Sequence, residues 1–166
     1  MTESTSKTAH ADLPHGGGIA PYLDKAESEA RIGRVRELLK AKGLDIALIY
    51  YDEFNIGNGW YLTGWCPQFE SGAVLIPREG TPLILGGPES EPFAKLDSTI
   101  TATRNFPVFM VPDEEYPNAS ISSFPNLFEE LNAGLGSVRK VGLVGAERMP
   151  AECYRQIVSG FQGVTL

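Results

Sequence analysis

A short apolar run early in the chain constrains the fold more than any other feature. Residues 44–51 read LDIALIYY, a run rich in aliphatic and aromatic residues that follows directly after Gly43. A run of this length without polar alternation predicts a strand that is buried on both faces. Such a strand needs a packed layer on each side of its sheet, and this favours an α/β architecture.

The segment before this strand predicts an amphipathic helix. Apolar residues between positions 32 and 39 recur at helical spacing, and Gly43 supplies a left-handed stop. Asp24 is a suitable N-cap, with Glu27 at the position from which a side chain reaches back to the cap. Residues 1–23 are polar and contain three consecutive glycines, so we expect a flexible tail there and an ordered domain over 24–166.

The rest of the chain alternates between strand and helix patterns. Strands are predicted at 59–64, 73–76, 82–85, 99–103, 140–144 and 164–166, the second and third of them forming an antiparallel hairpin. Helices are predicted at 89–96, from Phe124 to a stop at Gly134, and from Pro150 to a stop at Gly160. This order predicts a three-layer α/β domain, with a mixed sheet of about six strands and helices on both faces.

Charge and hydropathy narrow the choice of partners. The chain has 166 residues, with 14 Lys and Arg against 21 Asp and Glu and a net charge of −7. An acidic surface repels phosphate backbones and anionic lipids, so we expect no nucleic-acid partner and no membrane partner. The N-terminus has no apolar signal-peptide core, and no apolar stretch approaches the roughly 20 residues of a membrane-spanning helix. We therefore expect a soluble cytoplasmic protein.

No complete nucleophilic site is visible in the sequence. The histidines are His10 and His15, both in the predicted tail, and there is no Gly-x-Ser-x-Gly elbow. Cys66 and Cys153 have no metal-ligand spacing and no base to activate them, so we expect two free thiols that pack as small apolar groups. An enzyme that uses either cysteine is therefore the weakest hypothesis.

Nucleotide and metal sites are not indicated either. The glycines at 134–139 and 142–145 lack the full dinucleotide fingerprint, and the first group follows a helix. Carboxylates at 113–115 and 129–130 are expected to face solvent. Asp52 and Glu53 come just after the first strand, where ligands bind in open α/β sheets, but no partner group accompanies them and we expect a capping or surface pair. We predict no catalytic, cofactor or metal residue.

Aromatic residues are concentrated in one segment. Trp60, Tyr61 and Trp65 fall within six positions, and on the predicted strand Trp60 and Leu62 would point to one face and Tyr61 and Thr63 to the other. Ordinary core packing is one interpretation of these side chains. A rigid aromatic surface offered to a ligand or partner is the other.

This segment carries a family resemblance. Residues 58–65, NGWYLTGW, resemble the Asn-x-x-Tyr-Leu-Thr-Gly-Phe/Trp stretch in the N-terminal domains of creatinase, prolidase and Xaa-Pro aminopeptidase. Residues 31–39 and 42–49 are similar to the opening helix and first strand of that family. Residues 140–144 and the helix after Pro150 are similar to its closing units. The likeness extends from about Glu27 to Leu166.

The resemblance implies a creatinase-type N-terminal fold with ribonuclease H-like topology. It also implies that the catalytic chemistry lies in a separate C-terminal domain, which usually binds two divalent metals and which we expect to be absent from this chain. The implied role is that of a non-catalytic domain that builds a homodimer or contacts the missing catalytic domain. Trp60, Tyr61 and Trp65 are then candidate contacts to a partner's substrate channel. The alternative is a stand-alone small-molecule or peptide binding or dimerisation module with the same fold.

Overall fold

The computed structural model of the chain describes residues 23–113 and 115–166. The tail predicted at 1–23 therefore lies outside the described residues except for Leu23, whose side chain packs beside Gly64. The helices are α1 (Lys25–Lys42), α2 (Gly57–Thr63), α3 (Ser90–Asp97), α4 (Phe124–Leu135) and α5 (Ala151–Gly160). The strands are β1 (Ile46–Tyr51), β2 (Gly72–Pro77), β3 (Leu83–Gly86), β4 (Thr103–Asn105) and β5 (Val141–Val144). A short 3-10 helix lies at Pro107–Phe109.

The strands form one mixed sheet in the order β4-β3-β2-β1-β5. β2 pairs antiparallel with both β1 and β3, whereas β4 is parallel to β3 and β5 is parallel to β1. Because β1, β3, β4 and β5 thus run in one direction, their carboxyl ends lie at the same edge of the sheet. The antiparallel hairpin and the α/β class are confirmed.

Alternate side chains of β1 supply the two halves of the core. Ile46, Leu48 and Tyr50 pack with residues of α4 and α5. Ala47, Ile49 and Tyr51 pack on the opposite face with residues of α1, α2 and α3. Every β1 residue is buried, as the apolar run predicts, and each large apolar side chain contributes roughly 1.5–3 kcal/mol by leaving water. The chain is therefore a three-layer domain with helices on both faces of the sheet.

The ends of α1 match the sequence prediction in most details. The Asp24 carboxylate accepts a hydrogen bond from the Glu27 N–H at 2.8 Å, and Gly43 adopts the left-handed conformation with φ +64°. The Glu27 side chain does not reach back to the cap. It accepts a hydrogen bond from Arg31 Nε at 2.8 Å instead. The capping prediction is therefore correct for Asp24 and wrong for the Glu27 side chain.

Four other predictions need correction. The segment predicted as a strand at 59–64 lies almost wholly in α2. α4 continues through Gly134 and is capped by Gly136, which has φ +82°. Of the strand predicted at 99–103, only Thr103 pairs in the sheet, within β4. The apolar composition of residues 140–144 predicts a buried strand, but β5 is an edge strand, and Val141 is the residue of β5 that is buried.

The strand predicted at 164–166 is reduced to a single parallel bridge between Lys140 and Thr165. The Val141 N–H donates to the Thr165 carbonyl at 2.8 Å, and the Thr165 N–H donates to the Arg139 carbonyl at 2.9 Å. The described residues therefore form a five-stranded sheet, and the C-terminal segment touches it at the start of β5.

Candidate partner-facing surface

The aromatic segment folds as a helix because the Tyr51 ring packs closely beneath it. A Cβ atom at Gly59 would be 2.4 Å from two ring carbons of Tyr51, so α2 can approach β1 this closely only with glycine at position 59. The Thr63 hydroxyl lies 2.8 Å from the Gly59 carbonyl oxygen, one helical turn back. Gly64 then ends the helix in the left-handed conformation, with φ +69°. These tertiary and capping contacts override the β-propensity of Trp, Tyr and Thr.

The three aromatic side chains do not form one continuous face. Trp65 is buried in the core, and its N–H donates to the Thr63 hydroxyl at 3.0 Å. Trp60 is half-buried on α2. Tyr61 is 44% exposed and is turned towards α1. The division of faces that the strand interpretation predicted is therefore wrong, because Leu62 and Thr63 are buried together.

Two arginines of α1 hold Tyr61. The Arg31 guanidinium lies over its ring, 4.4 Å from the centroid, and donates to the Tyr61 carbonyl at 2.7 Å. Arg34 donates to the Tyr61 hydroxyl at 2.9 Å. Glu27 joins the two arginines, and the hydrogen bond from Arg31 is the main cause of its lowered pKa. Part of the Tyr61 surface is thus committed to packing between α1 and α2.

The carboxyl-end edge of the sheet carries exposed phenylalanines that sequence reasoning missed. We call the loops at 52–56, 66–71, 87–89 and 145–150 the strand-end surface. Phe54 is 92% exposed and Phe69 is 76% exposed. Their loops meet where the Cys66 Sγ lies 3.8 Å from the Asp52 carbonyl oxygen. The available signal was the position of Phe54 just after a buried strand, at the edge where ligands bind in open α/β sheets.

Asp52 has a structural role at this edge. One carboxylate oxygen accepts the N–H groups of Phe54 and Asn55 at 2.9 and 2.8 Å, and the other accepts the Tyr50 hydroxyl at 3.0 Å. Asp52 therefore closes a turn and does not cap a helix, since α2 begins after Ile56 without a side-chain cap. Its hydrogen bonds fix the turn that presents Phe54 to solvent.

The strand-end surface is acidic. Apart from the buried Glu70, its loops contribute four carboxylates against one arginine; these charged residues are Asp52, Glu53, Glu89, Glu147 and Arg148. Two exposed phenyl rings among carboxylates form a surface that suits a partner with an apolar pocket and basic residues.

The described part of the chain offers neither an activated thiol nor a metal-binding group of side chains. Burial raises the pKa of both the Cys66 and the Cys153 thiol to about 12, so neither is an activated nucleophile. His10 and His15 lie outside the described residues. Within residues 23–113 and 115–166, no group of three or more His, Cys, Asp or Glu side chains is arranged to hold a metal ion.

The remaining acidic residues that the sequence singled out lie in an exposed loop or on α4. Asp113 has φ +67°, and Glu115 is exposed in the same loop, whereas Glu114 lies outside the described residues. Glu130 is half-exposed and pairs with Arg104, which joins α4 to β4. In the described ranges, no helix has the length and apolarity needed to cross a membrane.

Comparison with known proteins gives this architecture a family. The sequence model of the creatinase/prolidase N-terminal domain matches residues 31–166. The chain therefore belongs to the creatinase/prolidase N-terminal domain family, as the resemblance of residues 58–65 implied. No curated protein sequence matches the chain.

Solved structures share the fold at low sequence identity. An Xaa-Pro aminopeptidase from Streptococcus pyogenes aligns with a TM-score of 0.59 at 18% identity, over 86% of this chain and 92% of that chain. A creatinase/prolidase-like N-terminal domain from Corynebacterium diphtheriae aligns with a TM-score of 0.58 at 14% identity, over 84% and 93% of the two chains. Dipeptidase PepE from Mycobacterium ulcerans aligns with a TM-score of 0.57 at 14% identity, over 88% of this chain and 35% of that chain.

The fraction of each known chain that aligns with this chain differs between the structures. This chain spans nearly the whole of the Streptococcus and Corynebacterium chains but about a third of the Mycobacterium dipeptidase chain. The same fold thus occurs both as a chain of similar length and as one part of a larger peptidase.

Proposed function

We propose that this chain is the non-catalytic N-terminal domain of a creatinase- or Xaa-Pro-peptidase-type metallohydrolase, inactive alone. Its role is to form a dimer and to contribute a wall to a partner's substrate channel. The observation that carries this proposal is the alignment of 88% of the chain with about a third of a dipeptidase. A larger peptidase of this kind has room for a separate catalytic domain beside the shared fold.

The strand-end surface supports a contact role. Phe54 and Phe69 expose 92% and 76% of their surface, which is a large apolar area to leave in water. Trp60 and Tyr61 lie on α2, which follows directly after the Phe54 loop. We therefore assign partner contact to the strand-end surface together with Trp60 and Tyr61, and we assign Trp65 a supporting position beneath them.

The negative charge of the strand-end surface limits the kind of partner that it can bind. Two copies that met through the same acidic strand-end surface would bring like charges together, which is unfavourable. The proposed dimer therefore sets this surface against a different, more basic surface, such as that of the partner's catalytic domain.

A turnover assay tests the lack of catalysis. The purified chain is incubated with Xaa-Pro dipeptides and with creatine, each with added Mn²⁺, Co²⁺ or Zn²⁺. We expect no turnover above that of buffer containing the metal alone. Metal-dependent turnover by the chain would overturn the proposal.

A second experiment tests the contact surface in the full-length peptidase, where a catalytic domain is present. Phe54→Ser and Phe69→Ser are compared with Leu38→Ser, which changes an α1 side chain that is 58% exposed. We expect the two phenylalanine variants to weaken the dimer or to raise KM at unchanged thermal stability. The Leu38 variant should leave both unchanged. If all three variants behave alike, the strand-end surface does not contact a partner as proposed.

The stand-alone binding or dimerisation module remains a second candidate. It is favoured by the Streptococcus and Corynebacterium structures, in which the fold accounts for about nine-tenths of the chain. This candidate predicts a stable homodimer of the 166-residue chain in light scattering, or a saturable thermal shift with a small molecule or peptide. A monomer without any such response would leave the first proposal in place.

A further inference from the structure

Glu70 is a buried carboxyl group at the junction of the 66–71 loop and α3. The residue is 3% exposed, next to the exposed Phe69. Its Oε2 accepts a hydrogen bond from the N–H of Ser90, the first residue of α3, at 2.8 Å. The carboxyl group therefore holds the loop against the start of the helix by this hydrogen bond.

The second carboxyl oxygen is in an unusual position. Glu70 Oε1 is buried and makes no hydrogen bond to any described residue. A Cβ atom at Gly87 would be 1.8 Å from it, so the carboxyl group fits only because position 87 is glycine. An ionised carboxylate with one unsatisfied oxygen is costly in such a place.

The surroundings of Glu70 oppose its ionisation. Burial raises the pKa of Glu70 above its ordinary value of 4.5, and the hydrogen bonds from the Ser90 side chain and from the Ser90 and Glu89 N–H groups do not offset this. The carboxylate of Glu89, at the start of α3, adds repulsion. Residues 86–88 and the rest of the 66–71 loop carry no charge, while Glu91 is bound to Lys95 and Asn105.

We propose that Glu70 is a proton-controlled latch that fixes the 66–71 loop, and with it Phe69, against the start of α3. The protonated carboxyl keeps its Ser90 hydrogen bond and leaves no buried charge. The ionised carboxylate gains solvation when the loop moves outward. The latch is therefore fully closed below pH 4.5, and it loses stability as the pH rises through the raised pKa of Glu70.

The latch gives the strand-end surface a means of regulation. When the latch is closed, Phe69 has one fixed position. When it is released, Phe69 samples a wider range of positions and a partner must order it again. This consequence for the partner rests on the proposed function, whereas the latch itself belongs to the chain alone and is measured without a partner.

Nuclear magnetic resonance of the isotope-labelled full chain tests the latch between pH 4 and pH 8. The observables are the Glu70 carboxyl carbon shift and the hydrogen-exchange protection factor of the Ser90 amide. We expect the carboxyl to titrate above 4.5. We expect Ser90 protection to fall by up to about tenfold per pH unit between 4.5 and that midpoint.

Three variants complete the test. Glu70→Gln keeps an oxygen acceptor without a titrating proton, so Ser90 protection should no longer depend on pH. Glu89→Gln removes a repelling charge and should lower the Glu70 midpoint. Gly87→Ala should displace the carboxyl group, restore an ordinary midpoint and lower Ser90 protection at every pH.

Two outcomes would overturn the latch. One is wild-type Ser90 protection that is constant over this range. The other is an equal pH dependence in Glu70→Gln. Either result would leave the proposed partner contact standing, because that contact is judged by the Phe54 and Phe69 variants in the full-length peptidase.

Discussion

The Tyr51 ring lies against the backbone of Gly59, so that a Cβ atom at position 59 would be 2.4 Å from the ring carbons. This contact joins the end of β1 to the middle of α2. It fixes the distance between the sheet and the helix that carries Trp60 and Tyr61, because the ring is fully buried and has no free space to enter.

Substitution of Gly59 by alanine should therefore destabilise the domain. Overpacking of a close contact costs about 1–3 kcal/mol, which exceeds the gain from a better helix former. Gly57→Ala is the matched control, since a Cβ at that position of α2 has no neighbour within 4 Å. Urea denaturation should show a lower midpoint for Gly59→Ala and an unchanged or higher one for Gly57→Ala. Equal midpoints would contradict the contact.

The layers of the fold could be predicted because they depend on short patterns. The apolar run at 44–51 requires burial on both faces, and alternate side chains of β1 do enter separate halves of the core. The capping by Asp24 and the stop at Gly43 also follow from local chemistry. Such signals are contained within a few neighbouring residues.

The candidate site could be predicted only in part because its geometry depends on distant residues. Residues 59–64 have the composition of a strand, but Tyr51 and the Thr63 side chain favour a helix there. Glu70 gives no sign of burial in the sequence, since it becomes buried only when α3 and Gly87 pack over it. Long-range packing of this kind leaves no periodic pattern in a single sequence.

Tyr61 offers a test of the contact between α1 and α2. Tyr61→Phe removes the hydroxyl that accepts from Arg34, whereas Tyr61→Leu also removes the ring beneath Arg31. We expect Tyr61→Leu to lower the free energy of unfolding by about 0.5–1 kcal/mol more than Tyr61→Phe does, the usual value of an exposed cation–π contact. The same variants made in Arg31→Ala should differ by much less. A difference that survives removal of Arg31 would show that the contact is not responsible.

The cysteines should be unreactive in the folded chain. A rise in pKa to about 12, from an ordinary value of 9.0, lowers the thiolate fraction about a thousandfold. Labelling with a thiol-reactive dye at pH 8 should therefore be slow in the native protein and fast in guanidinium. Cys66→Ser assigns the two sites by difference. Rapid labelling of native Cys66 would revive the hypothesis that this residue is a nucleophile.

Glu91 should make the domain sensitive to acid. Burial opposes its ionisation, but hydrogen bonds from Lys95, Asn105 and Thr103 outweigh burial and lower the pKa of Glu91 to about 2. The lowered pKa stabilises the fold above about pH 4.5, and this contribution is lost as the pH falls towards 2. Glu91→Gln should destabilise the chain at pH 7 and reduce the loss of stability on acidification, measured by urea denaturation at pH 7, 4 and 3. Glu129→Gln, on the exposed face of α4, is the control and should keep the wild-type pH profile of stability. A Glu91→Gln profile that runs parallel to the wild-type profile would contradict the role of Glu91 in acid sensitivity.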